Sequence, residues 1–226
     1  MKIHILGASG SGTTTLAKEL ARRLNISYFD SDNYLWLDTE IPYQKKRELD
    51  ERVRLLNHDI LNNNDCILSG SIYDWGDELI DLFDLIVFLW IPSDIRIKRL
   101  KQRDVQRYGN LINEGEKRHK MHVDFIEWAS KYDSGDVNIR SRKSHEIWLE
   151  KASCKVLRIE GDFELDYKVN RIINYIQENE SKHPALNLKT IHLSRGPQIE
   201  WKYEFDLTTN TKLYKGINWS LYLWAH

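Results

Sequence analysis

The sequence predicts a three-layer α/β fold: a five-stranded parallel sheet with helices on both faces, an arginine-rich insertion and a β-rich tail. Three observations carry this. Short apolar runs alternate with helical patterns over residues 1–180, a glycine-rich loop joins the first run to the first helix, and one polar, basic stretch interrupts the alternation before the fifth run.

The strand candidates are residues 2–6, 26–30, 66–69, 85–91 and 154–159, short apolar runs of the kind that buried parallel strands show. Leu16, Leu20 and Leu24 recur at i, i+4, i+8 and give the first helix one apolar face. Val53, Leu56 and Ile60 repeat that pattern before the third strand, and Val169, Ile172, Ile173 and Ile176 mark a last helix. Ser93 reads as the N-cap of a helix from Asp94 to Tyr108. Residues 110–153 form the insertion, with a helix near residues 116–131 and a Ser134-Gly135 break. After residue 180 the pattern changes to apolar–polar alternation over 199–207 and 213–223 around Thr208-Thr209-Asn210-Thr211. This predicts a hairpin-like appendage over 181–226 beside a main domain over 1–180.

The chain has 226 residues, 41% of them hydrophobic and 30% charged, ordinary for a globular protein with one sizeable core. Lys+Arg 33 nearly balances Asp+Glu 34, so no overall charge field points to nucleic acid or an anionic membrane. No apolar run approaches the roughly 20 residues of a membrane-spanning helix, and no secretory leader is recognisable. Cys66 and Cys154 both fall in apolar segments, which suits a reducing compartment. A cytoplasmic protein that does not span a membrane is expected.

Gly7, Ala8, Ser9, Gly10, Ser11, Gly12, Thr13, Thr14 and Thr15 follow the first strand and open the first helix. Strand–loop–helix is the setting in which a G-x-x-x-x-G-K-[ST] pattern binds phosphate. Gly7 and Gly12 hold its glycine positions, Gly10 with Ser9 and Ser11 lets N–H groups turn toward an anion, and Thr14 stands where the hydroxyl reaches Mg²⁺. Thr13 replaces the lysine that reaches the β- and γ-phosphates. The amide cradle survives that change, but one cation is lost. Nucleoside-triphosphate binding is expected, with Mg²⁺ and ATP as the ligands.

This loop, with Asp84-Leu85-Ile86-Val87-Phe88-Leu89 and the series Pro92, Arg96, Arg99, Leu100, Arg103, resembles the adenylate-kinase and shikimate-kinase group of P-loop kinases. The run from Gly7 to Thr15 followed by Tyr28-Phe29-Asp30-Ser31-Asp32 is closer still to a bacterial group labelled AAA-family ATPase, adenylate kinase or topology-modulation protein, in which the lysine is likewise replaced. The resemblance covers about residues 1–180. It implies that Asp30 and Asp32 bind metal and acceptor, Asp32 serving Mg²⁺ indirectly, and that Gly70, beside Ser71, lines the acceptor pocket. It also implies that Arg99 and Arg103 enter a lid and Arg140 and Arg142 leave it, the four gripping the moving phosphoryl.

The residues themselves support parts of that picture. Asp30 closes an apolar strand, where the ligand crevice of an open α/β sheet lies; Asp32 is also a candidate helix cap. Trp36, Tyr73 and Trp75 are either stacking surfaces for a planar acceptor or plain packing. Residues 96–120 hold nine Lys/Arg against three acids, and Arg96, Arg99 and Arg103 share one helical face. Guanidinium groups suit charge spread over phosphoryl oxygens. His119 and His122, with Asp124 nearby, are followed by no third or fourth ligand at metal-site spacing and read as solvated histidines on a helix. The sequence therefore points to a phosphotransferase moving the γ-phosphoryl of Mg·ATP to a small acceptor, with nucleotides among the candidates. The alternative is a nucleotide-binding or slow ATPase module acting through a partner. Trp201, Trp219 and Trp224 make the tail the candidate surface for a homodimer or protein partner.

Overall fold

A computed structural model describes residues 1–182, 189–191, 201–206 and 211–214. The chain runs β1 (Lys2–Gly7), α1 (Thr13–Leu24), β2 (Ser27–Asp30), α2 (Ser31–Leu35), α3 (Leu49–Leu61), β3 (Cys66–Ser69), β4 (Leu85–Trp90), α4 (Ser93–Tyr108), α5 (His119–Ser130), α6 (Arg142–Leu149), β5 (Lys155–Glu160) and α7 (Leu165–Lys182). The five strands form one parallel sheet in the order β2-β3-β1-β4-β5.

The strand order fixes the site. From β1 the chain crosses past β3 to β2, then returns and continues through β4 to β5. Right-handed crossovers therefore put α1 on one face and α3 on the other, while α7, after the last strand, meets α1 through Arg23 bonded to Asp166 and Asn170. The observed packing agrees: α1 lies over β1, β2 and β3, whereas α3 and α6 share a cluster with Leu6, Leu68, Ile86 and Phe88. The direction reverses at β1, so the loop after it opens at the switch point where such sheets hold ligands.

The predicted strands form within a residue or two of their expected limits. β4 is buried through Leu85, Ile86, Val87, Phe88 and Leu89, as a strand covered on both faces requires, while edge strand β5 alternates buried Leu157 and Ile159 with exposed Arg158 and Glu160. Leu16 and Leu20 of α1 are fully buried. Asn25, left-handed at φ 54, ends that helix by returning its N–H to Ala21 O.

Three expectations need correction. Pro92, not Ser93, occupies the N-cap of α4, with no side-chain cap; Ser93 is the first helical residue. The cap of α2 is Asp30, whose side chain accepts from Asp32 N–H, so Asp32 is not the cap. The insertion over 110–153, expected to hold one helix near residues 116–131, also holds α6, whose His145, Trp148 and Leu149 are buried. Those residues form an i, i+3, i+4 face inside a polar segment, which masks the helix in the sequence.

The chain folds as two compact units, Met1–Asn170 and Arg171–His226, divided inside α7 and not after residue 180. The second unit carries β6 (Lys189–Ile191), β7 (Trp201–Asp206) and β8 (Thr211–Tyr214) in one antiparallel sheet, order β6-β7-β8. β6 is an addition to the expected pair. Trp219, Trp224 and most of the expected strand over 213–223 lie outside the described residues.

Candidate nucleotide site

The loop after β1 is shaped by three glycines. A Cβ at Gly7 would sit 2.3 Å from Leu89 O on the neighbouring strand, so no side chain fits there. Gly10 (φ 83) and Gly12 (φ 90) take the left-handed conformation that glycine adopts without strain. A Cβ on Gly10 would lie 2.8 Å from Arg96 O, whereas the same position on Gly12 faces open space. Ser11 N–H donates to Ala8 O at 3.1 Å and closes the turn. The first amides of α1 point out of its N-terminus without a side-chain cap. Ser11 Oγ is buried without a hydrogen-bond partner among the described residues. Unpaired donors beside open space fit a polyphosphate. Gly7→Ala is expected to abolish ATP binding, because the clash is with rigid backbone; titration calorimetry, with circular dichroism to check folding, measures it.

Opposite the loop, Thr14 Oγ1 donates to Asp30 Oδ2 at 3.3 Å. Tyr28 OH donates to the same oxygen at 2.9 Å and hydrogen-bonds Ser69 Oγ at 2.9 Å. Asp30 Oδ1 accepts from Asp32 N at 3.1 Å. A hydroxyl and a carboxylate held this way form a hard-oxygen pair suited to Mg²⁺. Asp30, not Asp32, is the carboxylate in contact with Thr14. Asp32 is solvent-accessible at the crevice rim, yet partial burial there raises its carboxyl above the ordinary range; the Asp30 charge adds to this, and Arg140 and Arg103 oppose it.

Gly70 (φ 93) packs against this corner, since a Cβ there would lie 2.0 Å from Ser31 Oγ. Its carbonyl accepts from His4 Nε2 at 2.8 Å. Ser71 turns inward: it is buried and hydrogen-bonded to His145 Nε2 at 2.9 Å, behind the crevice wall. Trp36 packs edge-on against Tyr43 and under the Lys46 ammonium. Trp75 is buried and donates to Ser71 O, so it packs and does not stack on a ligand.

The four expected arginines separate into two pairs. Arg140 Nη2 donates to Ser9 Oγ of the loop at 2.8 Å, and its guanidinium lies 4.6 Å from the centre of the Trp128 ring. Desolvation lowers its pKa, but a guanidinium stays cationic at neutral pH. Arg103 lies over Phe125, weakly bonded to Asp104 at 3.5 Å, and with Arg140 is felt by Asp32. Arg99 is instead held by Asp162 at 2.7 Å. Arg142 is held by Glu160 at 3.4 Å over the Trp90 ring. Arg96, on the same helical face in the sequence, is fully buried and bonded to Ile91 O and Asp133. His119 bonds Ile112 O and His122 bonds Asp104.

The segment carrying Arg140 is tied to the core. A Ser141–Ser144 capping box starts α6 behind it. Tyr132 O accepts from Arg142 N–H at 2.8 Å, and Tyr132 OH bonds His145 Nδ1 at 2.9 Å. His145 in turn bonds Ser71, and Tyr73 OH donates to Val137 O at 3.2 Å. Sequence reasoning missed Tyr28, Ser69, Tyr132 and His145. Tyr28 carries a usable signal, since i and i+2 on a strand share a face with Asp30; His145 carries none.

A parallel sheet of this order, with an anion-binding loop at its switch point, defines a P-loop protein of the small-kinase group. A sequence-family profile described as an AAA domain matches residues 3–122, and the chain belongs to that family. It is 48% identical over 177 residues to "Uncharacterized protein YqaC" of Bacillus subtilis, covering 78% of this chain and 98% of the relative. A uridine kinase of Brevibacillus brevis is 25% identical over 201 residues, with 68% and 91% covered. A cytidylate kinase of Sulfolobus acidocaldarius is 29% identical over 133 residues, with 54% and 72% covered. Among solved structures, shikimate kinase from Acinetobacter baumannii in complex with shikimate aligns at TM-score 0.49 and 18% identity, covering 79% of this chain and 94% of that one.

Proposed function

We propose that this chain transfers the γ-phosphoryl group of Mg·ATP to a small acceptor. The observation that carries the reading is the Arg140 guanidinium donating to Ser9 at 2.8 Å, on a loop whose Thr14 meets Asp30 across the crevice. The loop amides and the first turn of α1 would hold the phosphates, and Thr14 with Asp30 would hold Mg²⁺. Bound there, Mg²⁺ would supply charge neutralisation for the transfer. Arg140 replaces the cation that Thr13 lacks, and Arg103 adds positive potential near Asp32. Asp30, fixed by Tyr28, orients the acceptor. Catalysis here is positioning and electrostatics, which phosphoryl transfer mainly requires. Similarity to a uridine kinase and a cytidylate kinase supports the same reading.

The test is ATP binding by calorimetry with and without Mg²⁺, followed by transfer from labelled ATP to nucleosides, nucleotides and small alcohols. Binding with transfer to at least one acceptor supports the proposal. Hydrolysis without transfer to any acceptor makes the protein an ATPase and overturns it.

A further inference from the structure

We infer that His4 is a positioning residue for the acceptor: by holding the Gly70 carbonyl in the core, it turns the Ser71 N–H out to the crevice, where an oxygen of the acceptor takes it. This rests on the kinase reading above and adds to it a residue that never touches the substrate.

Strand β1 is apolar where it is buried, through Ile3, Ile5 and Leu6, yet His4 among them is fully buried as well. Its ring stacks on Phe83 and meets Trp148 edge-on, on the face of the sheet that α3 and α6 cover. A carbonyl does not donate, so the contact to Gly70 O at 2.8 Å puts the ring proton on Nε2. Nδ1 is then a bare acceptor, and it is buried without a partner among the described residues. An apolar residue would fill this place and leave no orphaned atom. The strand breaks its own pattern here for one hydrogen bond, as sequences do at functional sites.

That bond acts on the end of β3. The ladder between β1 and β3 pairs Ile5 with Ser69, and Gly70 N–H still donates to Ile5 O at 3.0 Å. The chain then takes φ 93 at Gly70, a conformation that glycine adopts without strain, and the carbonyl leaves the sheet toward His4. The peptide bond that follows is trans and planar, so Ser71 N–H points opposite to that carbonyl, away from the imidazole. The Ser71 side chain stays in the core on His145. Its N–H meets no acceptor among the described residues.

Alternation along β3 sends Leu68 to the core shared with α3 and α6, and Ser69 to the opposite face. There the Ser69 hydroxyl meets Tyr28, beside the contact of Asp30 with Thr14. A Cβ on Gly70 would collide with Ser31 Oγ and lie 3.8 Å from Asp30 Oδ1, so the turn runs next to that carboxylate. A fixed backbone donor at this corner serves a hydroxyl or an anionic oxygen alike, and it needs no reorientation when the acceptor arrives. Without His4, nothing on the core side holds the Gly70–Ser71 peptide in this orientation.

The experiment uses the full chain and the acceptor that the wild-type protein phosphorylates fastest among nucleosides, nucleotides and small alcohols. His4→Leu, which suits the apolar core, is expected to raise the acceptor KM about tenfold or more, with kcat and the ATP dissociation constant within threefold of wild type. His4→Gln, whose amide nitrogen reaches the place of Nε2, should bring KM back to within about threefold. In isotope-labelled wild-type protein holding Mg²⁺ and a non-hydrolysable ATP analogue, the Ser71 amide signal in NMR should shift when that acceptor is added, a readout that no substitution disturbs. An unchanged acceptor KM in His4→Leu, a loss in both variants that equally weakens ATP binding, or a Ser71 signal that stays in place overturns the inference and leaves the kinase reading standing. No transfer to any acceptor by the wild-type protein overturns both.

Discussion

Arg140→Ala is expected to weaken ATP binding by roughly ten- to 150-fold while leaving the fold intact. A charge-assisted hydrogen bond contributes about 1.5–3 kcal/mol, and each 1.4 kcal/mol is about tenfold in affinity. Arg140 is the arginine whose guanidinium reaches the loop, through Ser9 Oγ. Arg142, two residues on, is the control: it is bound to Glu160 over Trp90 and does not reach the loop, so Arg142→Ala should change ATP affinity by less than about fivefold, under 1 kcal/mol. Two further readouts separate lost charge from lost structure. Millimolar guanidinium should partly restore ATP binding to the Arg140→Ala variant, and Thr13→Lys in that background should restore more, because it returns a cation to the loop from the helix side. Equal losses in both arginine variants would show that the charge acts from the whole basic surface and not from this contact.

The second large effect is on stability in mild acid. His4 and His145 are fully buried, and desolvation pulls their pKa values from 6.5 to about 4 and about 3. The Gly70 carbonyl partly offsets this at His4, whereas Arg140 adds to it at His145. Below pH 6.5 the unfolded chain takes up protons that the folded chain refuses. The stability linked to these groups is therefore complete above pH 6.5 and is lost as pH falls toward 4 and then 3. A tenfold change in proton affinity corresponds to about 1.4 kcal/mol, so each histidine contributes on the order of 3 kcal/mol, large against a typical total of about 5–15 kcal/mol. Urea unfolding at pH 7.5 and pH 5 measures it: the midpoint should drop markedly at pH 5, and by less in His4→Gln. A midpoint that stays constant over that interval would mean both imidazoles protonate freely in the folded chain.

The loop and the sheet were legible because their signals are local. Glycine spacing reports backbone conformation directly, and a buried strand is a short apolar run whatever surrounds it. Asp30 was legible for the same reason, as the residue closing such a run. The arginines were not, because charge in a sequence does not say which carboxylate will capture it. Arg140 and Arg142 look equivalent two residues apart, yet one precedes the Ser141 cap and turns to the loop while the other begins α6 and meets Glu160. Asp162 and Glu160, which decide the fate of Arg99 and Arg142, lie 63 and 18 residues further along the chain. α6 was hidden because its apolar face is short and begins with a histidine. A tie such as Ser71–His145–Tyr132 depends on three elements meeting, which no single window contains.

That tie also bears on how ligands come and go. Because Tyr132, His145 and Ser71 hold the Arg140 segment against the body of the sheet, the guanidinium stands at the loop before any ligand arrives, and its ordering entropy is met during folding. Association then needs no closing step to complete the donor half, so encounter alone can set its rate. If the chain is the kinase proposed above, the same rigidity would hold ADP as firmly as the shared phosphates of ATP, and product escape, not chemistry, is the expected slow step.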